Sequence, residues 1–135
     1  MPDPSPSPTD LIGMGWLYAL HVRSAIARGH LLKGEYMLSG MRNQLLSLLC
    51  LRYGVNALQG RGLDYLPEET MRAVFDCFPS SLRADDLRRA FHKTTVALVD
   101  EINRIDRELG KRLEPILSEW SGVHPLSVPE SEHPS

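Results

Sequence analysis

The sequence predicts an all-α protein, folded as an up-and-down antiparallel bundle of four to five helices. Three observations predict it. Leu87, Phe91, Thr94, Leu98, Ile102, Ile105 and Leu109 step by threes and fours along one face, the period of an α-helix. The run "LLSLLCL" beginning at Leu45 is apolar on nearly all sides, which suits a helix in the middle of a bundle. No stretch of any length alternates apolar and polar residues at the period of a strand.

The elements follow in order. Residues 1–10, "MPDPSPSPTD", hold four prolines. Such a segment buries too little apolar surface to offset its ordering entropy, so it is expected to be a disordered linker. Helix one is expected from Leu11 to Arg28, with Thr9 or Asp10 as N-cap and Gly29 as terminator. Helix two is expected from Leu31 to Tyr53, ended by Gly54, with Leu38, Met41, Leu45 and Leu48 on one stripe. The connection "GVNALQGRGLDYLP" runs from Gly54 to Pro67, and its glycines exclude a long regular element. A short helix is expected from Pro67 to about Phe78, with Pro67 at its first position and Glu68 and Glu69 at the positive end of the dipole. The longest helix starts near Ala84, and Gly110 and Pro115 predict a bend or break in it before the stripe resumes at Leu113, Ile116 and Trp120. Residues 121–135 are Pro/Ser-rich and expected to be a flexible tail, which leaves 11–120 as the bundle.

A formal net charge of -2 offers no broad electrostatic attraction for nucleic acid. The stretch from Leu11 to Val22 is too short to span a bilayer, which needs about 20 apolar residues. No secretory signal is visible, so the expected compartment is the cytoplasm, without membrane attachment. Cys50 and Cys77 stand in apolar contexts and read as buried free thiols.

Four ionisable residues stand out. His21, Arg28, Glu35 and Arg42 recur every seven residues, and positions seven apart on a helix share a face. Two readings stay open. They form a structural ion pair tying helix one to helix two, or a polar strip lining a ligand groove. The loop "GRGLD" adds Arg61 and Asp64, with glycines that allow close backbone approach to a partner. No "GxxxxGK[ST]", "HExxH", "CxxC" or "GxSxG" occurs, so phosphate-loop, zinc and nucleophile-elbow chemistry have no motif here. Arg23 and His30 fit the loose Arg-to-His spacing of HEPN-type ribonucleases, which need two such motifs facing across a dimer.

In "WLYALHVRSAIARGHLLKGEYMLSGMRNQLLSLLCLRYG" and the later "GRGLDYLP" the chain resembles the C-terminal helical domain of antibiotic-type nucleotidyltransferases, the group similar to kanamycin nucleotidyltransferase in layout. The resemblance covers about Leu11 to Trp120. It implies an accessory, substrate-binding domain that forms one wall of a cleft and recognises a polar acceptor. It also implies a separate catalytic domain, in cis or in trans, that holds Mg²⁺ and a nucleoside triphosphate. In that group the nucleotide site is a Gly-Ser motif followed by paired Asp residues, and this chain has neither in strand context; its "ADD" at Ala84 opens a helix. The chain is therefore expected to bind no cofactor and not to be catalytic by itself. The resemblance further implies a carboxylate general base from the helical domain. Helix one has none after Asp10, so His21 or Glu35 would serve. Substrate contacts are expected from His21, Arg28, Glu35, Arg42, Arg61 and Asp64, with Trp16 or Tyr36 packing on the acceptor. The alternative is a stand-alone interaction bundle that pairs with a minimal nucleotidyltransferase in a toxin–antitoxin-like manner, with homodimerisation as a second partner class.

Overall fold

The computed structural model describes residues 7–54 and 63–122. Within them are five α-helices: α1 (Pro8–Ala27), α2 (Leu31–Tyr53), α3 (Glu68–Phe75), α4 (Ala84–Ile105) and α5 (Arg107–Trp120). A 3-10 turn, Leu63–Tyr65, precedes α3. No strand occurs among the described residues.

Helix α1 begins three residues earlier than expected, so residues 8–10 belong to it rather than to a linker. Pro8 carries a φ already suited to the first turn. The Ser7 hydroxyl accepts the Asp10 amide at 3.1 Å, and Asp10 adds negative charge at the positive end of the dipole. The helix ends where Gly29 takes φ 75°.

Helices α1 and α2 meet in opposite order. A Cβ on Gly15 would touch Gln44, one on Gly40 would strike the Tyr18 ring, and one on Gly34 would touch Ala25 and Ile26. Positions therefore rise on α1 as they fall on α2. Helix α4 meets both. Leu98 reaches Gly15 and Leu87 reaches Gly34. The α2 stripe anticipated from sequence, Leu38, Met41, Leu45 and Leu48, lies fully inside. It packs with Ala19 and Val22 of α1, Leu87, Phe91, Leu98 and Ile102 of α4, and Leu117 of α5. Each of the larger side chains contributes about 1.5–3 kcal/mol by leaving water.

The break in the last helical run falls at Asp106, not at Gly110 or Pro115. Asp106 is extended (φ -151°, ψ 98°), and its carboxylate accepts the Leu109 amide at 3.1 Å, so it ends α4 and caps α5. Gly110 lets the corner close, because a Cβ there would collide with Asn103. Pro115 lies inside α5 on its exposed side, where one carbonyl freed from the helix ladder can face water. Helix α3 is also shorter than expected, ending at Phe75.

Replacing a helix-interior Gly by Ala ordinarily gains about 1 kcal/mol. At Gly40 the added methyl would lie inside the Tyr18 ring. Gly40→Ala is therefore expected to cost about 1–3 kcal/mol in urea denaturation. The same change in a Tyr18→Ala background should be neutral or stabilising, and a gain in the parent background would show that the ring yields freely.

Candidate functional site

The structure brings Glu35 and Arg42 together and leaves the rest of the row on open surface. Arg42 is only 4% exposed. Its Nη2 meets Glu35 Oε2 at 3.0 Å, and its Nη1 donates to the Cys77 carbonyl at 3.1 Å. The Phe78 ring centroid lies 3.9 Å from its Cζ. The Thr94 hydroxyl donates to Ala90 O at 2.7 Å and makes a longer contact of 3.4 Å with the Cys77 carbonyl.

The pair therefore fastens α2 to the α3–α4 connection. It does not tie α1 to α2 as the ion-pair reading had it. The reason is azimuth: α2 meets α1 through the side bearing Gly34 and Gly40, and Arg42 points elsewhere, toward Cys77 and Phe78. His21 is exposed on α1, and Arg28 is exposed at its C-cap. Asp64 is exposed in the 3-10 turn, and Arg61 lies outside the described residues. Trp16 packs on Trp120 with ring centroids 4.9 Å apart, and Tyr36 is open to solvent. Arg23 lies over Trp120, and His30 stands exposed at the N-cap of α2. Cys50 and Cys77 are buried free thiols, each pushed up by burial.

A different constellation forms at the end of α2. A cavity of about 260 Å³ opens between α2, α3 and α4. Its floor is apolar, from Leu45, Leu49, Val74 and Ala97. Its walls carry Arg52, Tyr53, Glu69, Thr70, Asp100, Glu101 and Arg104. The Tyr53 and Thr70 hydroxyls pair at 3.1 Å and join α2 to α3 across one wall. Arg52 stacks on the Tyr53 ring at 4.4 Å and meets Glu101 Oε1 at 3.0 Å. Arg104 approaches the same oxygen at 3.6 Å. Glu101 Oε2 is buried and has no hydrogen-bond partner. Burial holds the Glu101 carboxyl above the ordinary glutamate range, and the two guanidiniums offset this only in part.

Such a cleft, apolar below and ringed by donors and acceptors, has groups that can hydrogen-bond a small polar molecule. Sequence reasoning missed its centre. The Glu101 and Arg104 pair has a readable spacing of three, but Arg52 comes from another helix and nothing local announces it. Among the described residues no group of three or more His, Cys, Asp or Glu side chains converges to hold a metal ion. No helix there is long and apolar enough to cross a membrane. The chain matches no protein-family model, curated protein or solved structure with which it was compared.

Arg42→Ala is expected to cost about 2–4 kcal/mol in urea denaturation, because it strands Glu35 and removes a donor from a buried carbonyl. Glu35→Gln should cost less, since that partner is 27% exposed and an amide still accepts from Arg42. Equal costs would show that the pair, and not the guanidinium, carries the effect.

Glu101 supplies a pH test. Its proton is held more tightly in the folded chain than in the unfolded one. The folded state then binds the extra proton through this range, so the stability contributed by Glu101 is greatest at low pH and declines as pH rises past 4.5. Glu101→Gln removes that slope. The stability difference between parent and variant should move against the parent between about pH 4 and pH 7. Movement in the parent's favour would mean that the arginines outweigh burial.

Proposed function

We propose that this chain is the substrate-binding helical domain of a nucleotidyltransferase, an up-and-down antiparallel bundle that is not catalytic by itself. It recognises a polar acceptor beside a separate catalytic domain that holds Mg²⁺ and the nucleoside triphosphate. The observation that carries the reading is the cleft at the end of α2. It is walled by Arg52 and Tyr53 of the "LRYG" segment, one of the stretches in which the resemblance lies. Acceptor hydroxyls or amines would donate to Glu69 and Asp100, and acceptor oxygens would accept from Arg52 and Arg104. No step is assigned to a metal on this chain, because its described residues offer no convergent ligand set.

The surface of α1 favours a second reading. Met14, Leu17 and Leu20 are exposed apolar side chains, as expected of a bundle whose main task is to bind another protein. In that reading the chain pairs with a minimal nucleotidyltransferase and restrains it.

One experiment separates the two. The coding sequence around this frame is read for a partner encoding a Gly-Ser motif and an Asp pair, fused or adjacent. That partner is then assayed for nucleotidyl transfer with Mg²⁺, a nucleoside triphosphate and candidate acceptors. The first reading expects transfer to need this chain. It also expects Arg104→Ala, at a residue 58% exposed and safe for the fold, to raise the acceptor KM about tenfold with little change in kcat. Inhibition by the chain establishes the second reading. Full transfer without the chain and no effect of adding it removes both.

A further inference from the structure

We propose that the outer face of α1 is a self-association surface, on which a second copy of this chain packs its own α1 in antiparallel orientation about a two-fold axis. The first observation is that α1 carries large apolar side chains outside as well as inside. Ala19, Val22, Ala25 and Ile26 are buried in the bundle, while Met14, Leu17 and Leu20 remain 42%, 43% and 37% exposed. A helix apolar on all sides is normally covered on all sides.

The second observation is charge placement. Asp10 and Arg28 are both exposed, and neither forms an ion pair with another described residue. They stand eighteen residues apart, which is about five turns at about 3.6 residues each, so they lie on one line along the helix, about 27 Å from end to end. Leu17 sits close to that line, two residues from its midpoint. The face therefore carries a negative charge at one end and a positive charge at the other, with Met14, Leu17, His21 and Ser24 between them. A surface with opposite charges at its two ends is complementary to itself only when turned end for end. That is the symmetry of an isologous dimer. In this arrangement Asp10 of each copy meets Arg28 of the other. Leu17 lies near the axis, beside Leu20 and His21 of the second copy. The two helix dipoles also run in opposite directions, which adds a small favourable contribution. An unrelated partner would have no reason to match both ends of the face. A second copy must.

The proposal does not rest on the nucleotidyltransferase reading, since α1 contributes no residue to the α2–α3–α4 cleft. Sedimentation equilibrium of the full chain from about 1 µM to 1 mM tests it, the range in which a contact at the small end of specific interfaces dissociates. The parent is expected to dimerise. Asp10→Arg and Arg28→Asp each put like charges at both ends and should weaken the dimer at least about tenfold. The double exchange D10R/R28D should restore it. Leu17→Asp should abolish it. Circular dichroism should be unchanged throughout, as all three positions are exposed. A parent that stays monomeric over the whole range overturns the proposal. So does a dimer indifferent to the charge reversals, or single reversals that the double exchange fails to rescue.

Discussion

A single guanidinium organises the middle of this molecule. An unpaired charge taken out of water costs several kcal/mol, so Arg42 can be buried only if its surroundings answer it on every side. They do so from three directions at once. Glu35 supplies opposite charge, the Cys77 carbonyl accepts a hydrogen bond, and the Phe78 ring offers its negative face. A lysine could not do this, because its compact ammonium lacks the planar fork that reaches two acceptors while lying flat on a ring. Two of the three answers come from the connection between α3 and α4. The charge on α2 therefore fixes a segment with little regular structure of its own.

That placement controls the cleft. Helix α3 has eight residues, too few to hold itself as an isolated helix. It is secured near its start by the hydroxyl pair of Tyr53 and Thr70, and just past its end by Arg42 on Cys77. Between these ties, Val74 seals the floor of the cavity while Glu69 and Thr70 form its rim. Arg42 never touches the cavity. It positions the wall that does, so its burial and the recognition chemistry proposed for the cleft belong to one arrangement. The row of ionisable residues first seen in the sequence thus divides. One pair ties α2 to the α3–α4 connection, and the cleft residues Arg52 and Tyr53 lie nearly three helix turns past the end of the row.

What could be read in advance follows from which signals are local. The α4 stripe was legible because Leu87, Phe91, Thr94, Leu98 and Ile102 repeat a face, and all five are buried. The next member, Ile105, is 45% exposed because the helix ends there, and the stripe alone cannot announce an end. The stop signal was present in Asp106, whose carboxylate caps α5, but Gly110 and Pro115 are stronger breakers by type and drew the boundary toward themselves. Likewise Ser7 and Pro8 form an N-cap and first turn that a Pro/Ser-rich composition disguises as linker. At the site, the seven-residue spacing of Glu35 and Arg42 correctly implied a shared face. It carried no information about the Cys77 carbonyl, since a backbone acceptor has no sequence signature. Arg52 was hidden for the complementary reason. Its partner Glu101 lies on α4, and only the packing of α2 beside α4 makes them neighbours.

The two unusual helices, α1 and α2, resolve the same compositional fact in different ways. Both are apolar around much of their circumference. For α2 the bundle itself answers, since α1, α3 and α4 pack about it and its fully apolar run is largely enclosed. For α1 the bundle answers on one side only, and the opposite side keeps three large apolar side chains in water between one acidic and one basic end. An amphipathic helix would have placed charges along that line, as α4 and α5 do on their own outer faces with Arg88, Arg104, Lys111 and Glu108. The cleft and the α1 face draw on different residues, so a dimer built on α1 would leave both clefts open. Recognition and assembly then need not compete for the same surface.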